Sequence, residues 1–202
     1  MKKNIDRFRK FIGLGTLTIF DIDETLFHTK AKIKVMKSGK VVRELDNQQF
    51  NTYELKDGES FDFGQFRSAK IFKETSVPVV RMIKKAKAIV KANNNPHSRA
   101  IVCTARADFD DKHTFLQTFR DHGLPIDQMY VERSGNLGLG SSAENKKVVF
   151  RKYLNTKNYV KIRLYDDAMS NLKALLDLRS EYPNVEFEAW FVNHDGTVKR
   201  IK

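Results

Sequence analysis

The chain has a single cysteine, Cys103, in 202 residues. An intrachain disulfide is therefore excluded, and a reducing compartment is the natural setting. No apolar run approaches the roughly 20 residues that span a bilayer. An apolar patch at Phe11–Phe20 follows Lys2 and Lys3, but Asp6, Arg7, Arg9 and Lys10 spoil the leader pattern and no small-residue cleavage site follows. A cytoplasmic protein without a membrane partner is expected. Acids are also scarce: 25 Asp and Glu stand against 37 Lys and Arg, for a net charge of +12. That balance favours a polyanionic partner, nucleic acid first. Hydrophobic residues make up 41% of the chain, enough for a core and too many for a disordered protein.

What the chain does have is one stretch of unusual contrast, Thr16 to Thr25. Leu17, Thr18, Ile19 and Phe20 form a nearly continuous apolar run, which reads as a strand buried on both faces. Asp21 and Asp23 end it. A spacing of two in extended chain points both carboxylates to one side. Two such groups repel unless a cation or a shared proton intervenes. A divalent metal, or one protonated carboxyl, is implied.

The pattern around that strand is regular. Residues 2–12 read as a short basic amphipathic helix. Residues 27–75 read as an insertion over the carboxyl end of the first strand, opening with a hairpin over 32–45 about Ser38-Gly39. Its basic and aromatic residues suit phosphates and bases, and most of its phenylalanines are expected to form a small core of its own. Ser76 is expected to cap a helix with Pro78 in its first turn, with Val79, Val80, Met82 and Ile83 inward. A strand over 100–104 follows, then a helix over 109–122 capped by Asp108 and ended by Gly123, and a short strand over 128–132. Ser141 and Glu144 form a capping box for a helix to about Leu154. A strand over 159–165, another helix and a closing hairpin over 185–201 complete the chain. This alternation predicts a doubly wound, mainly parallel α/β sheet, with residues 1–26 and 76–202 as its core. Sites in such sheets lie at the carboxyl ends of strands. Asp21 and Asp23, Thr104 and Arg106, and Asp166 and Asp167 all fall at such ends.

Collected, these residues resemble the haloacid dehalogenase superfamily of phosphotransferases over roughly residues 16–180. Asp21-Ile22-Asp23-Glu24-Thr25 looks like its first motif, Thr104 its second, a lysine near a helix start its third and Asp166-Asp167 its fourth. The resemblance implies a Rossmann-like fold with a flap, and a magnesium-dependent phosphatase. Asp21 would be the nucleophile. Asp23 would act as acid and base. Mg²⁺ would be held by Asp21, by residue 23 through its carbonyl, and by Asp166 or Asp167, with Asp167 favoured. Thr104 would bind phosphoryl oxygens, and Lys146 would pair with them and with Asp21. Lys147 is the alternative lysine; Lys146 is favoured because it lies four residues before Phe150. The Thr104-Ala105-Arg106 turn and the basic surface are similar to the phosphatase half of phage polynucleotide kinases, which implies Arg106 on a substrate phosphate and a nucleotide or a DNA or RNA end as substrate. A small-metabolite phosphatase and an inactive nucleic-acid-binding protein are the alternatives. No obligate protein partner is expected. His28, beside the first motif, reads as a solvated or packing histidine.

Overall fold

The computed structural model describes residues 14–50, 52–93 and 95–202. The basic helix expected over 2–12 lies outside them. In chain order the elements are β1 (Gly15–Phe20), β2 (Phe27–His28), β3 (Ile33–Lys37), β4 (Lys40–Leu45), α1 (Asn47–Phe50), β5 (Glu59–Asp62), α2 (Gly64–Arg67), α3 (Ala69–Thr75), β6 (Val77–Pro78), α4 (Val80–Lys91), β7 (Arg99–Thr104), α5 (Lys112–Asp121), β8 (Tyr130–Arg133), α6 (Ser142–Leu154), β9 (Tyr159–Asp166), α7 (Met169–Leu176), β10 (Glu186–Val192) and β11 (Val198–Ile201).

The main sheet has six strands in the order β11-β10-β9-β1-β7-β8. All neighbours are parallel except the β10–β11 edge hairpin. From β1 the chain steps outward to β7 and β8, then crosses back to β9 and β10. The order therefore reverses between β1 and β9, and a crevice opens where their carboxyl ends part. This is an α/β fold with a mainly parallel sheet, as the alternating pattern predicts.

Side-chain alternation on β1 feeds two cores. Leu17 and Ile19 are buried with Val149, Phe150, Leu172 and Leu175 of α6 and α7. Phe20 is buried with Met82 of α4 and Phe115 and Phe119 of α5. Burying each such side chain stabilises the fold by roughly 1.5–3 kcal/mol. Both faces of β1 are thus covered, which is why its sequence is apolar without interruption.

The insertion is a three-stranded sheet in the order β4-β3-β5. Ser38 and Gly39 both have positive φ, 50° and 75°, the pairing that a two-residue hairpin turn requires. Ile33, Val35 and Leu45 are buried there, with Phe50, Tyr53, Phe61 and Phe66 packed against them. Within the same 27–75 stretch, Phe27, Ala69 and Phe72 are instead buried in the main core. Strand β5 has no clear alternating pattern and is visible only in the fold.

Several local expectations are corrected. Ser76 does not cap α4: its N–H donates to the Phe72 carbonyl and closes α3. Val77 and Pro78 pair antiparallel with β2, a short edge where a residue lacking an N–H is tolerated. Helix α4 starts at Val80, whose side chain is exposed. Helix α5 is capped by Asp111, which accepts from the N–H groups of His113 and Thr114. Asp108 pairs instead with Arg133 at 2.7 Å. The expected capping box on α6 is present, Ser141 Oγ accepting from Glu144 N–H and Glu144 Oε2 from Ser141 N–H.

Candidate active site

Asp21 is the first residue beyond β1, and its N–H donates to the Tyr165 carbonyl of β9 at 3.0 Å. The chain then leaves extended conformation. The Ile22 carbonyl accepts from Thr25, Leu26 and Phe27, and Glu24 sits at φ 56°. Asp21 and Asp23 consequently face one cleft but take different partners.

Lys146, on the first turns of α6, is buried and bridges two carboxylates. Its Nζ donates to Asp21 Oδ1 and to Asp166 Oδ2, each at 2.7 Å. Burial opposes its charge, but Asp166 and Asp21 more than offset that and raise its pKa. A lysine this near the start of a helix opposes its dipole; two buried carboxylates explain why it stays. Asp166 is fully buried. It also accepts from Asn171 Nδ2 at 3.0 Å and from Ala168 N–H at 2.9 Å. Its oxygens are thereby committed, which suits an orienting role.

Asp167 is compensated least. Thr25 Oγ1 approaches its Oδ1 only at 3.5 Å. Burial, then the charges of Asp21 and Asp166, push its carboxyl up to about 8. Burial likewise pushes Asp21 up to about 7, with Asp166 and Asp23 adding to the effect against the pull of Lys146. Ligand oxygens of Asp21, Asp166 and Asp167 lie within 4.8 Å of one another. Four carboxylates, counting Asp23, face two buried cations, Lys146 and Arg106. A divalent cation would balance that charge, and an all-oxygen donor set suits a hard one. The residues therefore fit a hard cation such as magnesium, with Asp167 as the carboxylate left free to hold it and Asp21, already held at Oδ1 by Lys146, beside it.

Arg106 was expected to meet substrate and instead is buried behind Asp23, its side chain 1% exposed. Nη2 donates to Asp23 Oδ1 at 2.7 Å and Nε to Oδ2 at 2.9 Å. Further bonds reach the Phe66 carbonyl and Thr29 Oγ1. The guanidinium lies 4.5 Å from the Phe66 ring centre and 4.9 Å from that of Phe72. A planar donor fork on a carboxylate between aromatic rings is a task that lysine does not perform. Thr104 is fully buried; its Oγ1 accepts from Arg106 N–H and its carbonyl from Ser134 Oγ. Its hydroxyl thus shapes the turn that delivers Arg106 and is closed off from the cleft. Lys147 points away, 3.6 Å from Asp177. Of the eight residues singled out by sequence, Asp21, Asp23, Lys146 and Asp167 line the cleft with the edge of Arg106. Asp166 stands directly behind them, and Thr104 and Lys147 do not line the cleft.

The cleft has a volume of about 530 Å³. Its floor is the acidic cluster. One wall is the insertion, with Phe50, Phe63, Phe66 and Arg67; another is the glycine loop, Gly135 to Gly140. A β-carbon on Gly135 would lie 2.2 Å from the Ala105 carbonyl, so only glycine lets that loop close on the turn after β7. Asn145 pins the loop by accepting from Leu139 N–H at 2.9 Å. Asn171 and Asn145 escaped the sequence reading. The available signal was a polar residue on the inward face of each helix. Among the described residues no helix is long and apolar enough to cross a membrane. No protein-family model matches the chain, and no curated protein matches it either.

Proposed function

We propose that the protein is a magnesium-dependent phosphomonoester hydrolase of the haloacid dehalogenase type, acting on a nucleotide or a phosphorylated nucleic-acid end. The observation that carries this reading is the meeting of Asp21, Asp166 and Asp167 around the buried Lys146 at the crevice between β1 and β9. Lys146 holds Asp21 Oδ1, leaving Oδ2 to attack phosphorus as the ester P–O bond breaks. The leaving oxygen takes a proton from Asp23 on the cleft wall. In the second half a water attacks the phosphorus of the Asp21 acyl phosphate, Asp23 takes its proton, and the Asp21 carboxylate is restored. Arg106 acts as a positioning residue that aims Asp23. Magnesium, when bound, offsets the repulsion between the anionic nucleophile and the phosphate.

The substrate class is supported by the cleft wall that the insertion supplies. Phe63 is 41% exposed, and Arg67 beside it is exposed too. A solvent-facing aromatic ring next to a cation suits a base and its phosphate. The surplus of 12 positive charges points the same way. The buried, unpaired Cys103 is in keeping with a cytoplasmic setting.

The test is phosphate release, with and without magnesium, from p-nitrophenyl phosphate, nucleotides, and oligonucleotides phosphorylated at the 3′ or 5′ end. Release that needs magnesium and vanishes in Asp21→Asn is expected. Absence of release from every substrate, or full activity in Asp21→Asn, would overturn the proposal.

A further inference from the structure

Next to the carboxylate cleft, three metal-ligating side chains converge that the phosphatase chemistry does not use. Glu24, His28 and His194 each bring a ligand atom to within 4.8 Å of the others. Glu24 Oε2 lies 2.7 Å from His28 Nδ1 and 3.6 Å from His194 Nδ1. Ligands 2.0–2.1 Å from a tetrahedral ion stand about 3.3 Å apart, between these two distances. The imidazole rings are 4.0 Å apart, centre to centre.

Two of the three are four residues apart, and the third comes from the far edge of the main sheet. Glu24 is in the turn after β1, His28 is on β2, and His194 is on the turn between β10 and β11. Glu24 holds a left-handed backbone, φ 56°, which residues with a side chain rarely adopt. Its Oε1 is near the Thr29 N–H at 3.4 Å, which leaves Oε2 facing both rings. The His194 side chain is 81% exposed, so it contributes little to core packing. Its approach to a carboxylate and a second imidazole is what a ligand set requires.

We propose that Glu24, His28 and His194 form a second cation site, for a d-block dication of the zinc class. Imidazole nitrogens suit zinc and its neighbours. Magnesium prefers oxygen ligands and keeps its waters. The two sites therefore sort cations by chemistry. Three protein ligands leave a position for solvent. Occupancy ties the β10–β11 turn to the loop that carries Asp23.

The experiment is calorimetric titration of the full chain with zinc chloride in excess magnesium chloride, with the histidine ring signals followed by NMR. One zinc per chain is expected, shifting the rings of both His28 and His194. Zinc at a hundredfold above its Kd should raise Tm by about 5–10 °C. His194→Ala, on an exposed turn, should keep its zinc-free Tm and lose more than about tenfold in affinity, since even outer-shell changes reach that range. No zinc binding, unchanged affinity in His194→Ala, or binding without ring shifts would each overturn the site. None of these readouts depends on turnover.

Discussion

Replacing Asp167 with asparagine should stabilise the magnesium-free protein while removing its response to magnesium. Asp167 is half-buried beside Asp21 and Asp166, and its carboxyl is pushed up to about 8. In the unfolded chain an aspartate ionises near 3.9. Below pH 4 the side chain is protonated in both states, and the substitution should be nearly neutral. As pH rises from 4 to 8 the unfolded chain gives up its proton first, so the folded state loses stability across that window. Above pH 8 the full penalty is present. Two like charges about 4 Å apart at an effective dielectric of 20 repel by about 4 kcal/mol, and Lys146 offsets part of it. A gain of about 2–5 kcal/mol at pH 9 follows, or roughly 5–15 °C in Tm for a chain of this length. The assay is thermal unfolding in EDTA from pH 4 to pH 9, repeated with magnesium. Wild type should gain Tm from magnesium and Asp167→Asn should not. A lower Tm for Asp167→Asn at pH 9 in EDTA, or a difference that does not change with pH, would refute the reasoning.

Other substitutions separate the remaining roles. Lys146→Met should strand two buried carboxylates and lower stability by about 3–5 kcal/mol in urea unfolding. Lys147→Met, on the outer side of the same helix, should stay within about 0.5 kcal/mol of wild type in the same assay. Arg106→Lys should lower kcat for phosphate release by at least about tenfold, because an ammonium cannot replace the fork on Asp23; a wild-type kcat and pH profile would remove Arg106 from the positioning role. Phe63→Ala should raise KM for nucleotides and oligonucleotides, at about 1–3 kcal/mol per stacked base, and leave p-nitrophenyl phosphate nearly unchanged.

The sheet was legible because several strands are short apolar runs ended by chemistry, as at Phe20-Asp21 and Cys103-Thr104. The capping box at Ser141 and Glu144 and the turn at Ser38-Gly39 were legible because both are local in sequence. Asp108 and Ser76 misled because Asp111 and a two-residue edge pairing compete for the same boundaries. The pairing is decided by β2, about fifty residues away. Within the site, the acids could be read from strand ends, and Lys146 from its spacing to Phe150. Arg106 could be placed near the site but not oriented. Its direction depends on Phe66, Phe72 and Thr29, which only the folded insertion brings beside it. The meeting of Glu24 and His28 with His194 spans 170 residues of sequence, and only the four-residue spacing of the first two was local.

Asp21 as the phosphoryl acceptor is the claim on which the rest stands. Quenching the protein in acid after mixing it with magnesium and substrate, reducing with borohydride and mapping the peptides by mass spectrometry tests it directly. An acyl phosphate on Asp21 would be reduced to homoserine at that position. Homoserine at residue 21, dependent on substrate and missing from Asp21→Asn, is the required result; an unmodified residue 21 during rapid phosphate release would contradict the mechanism.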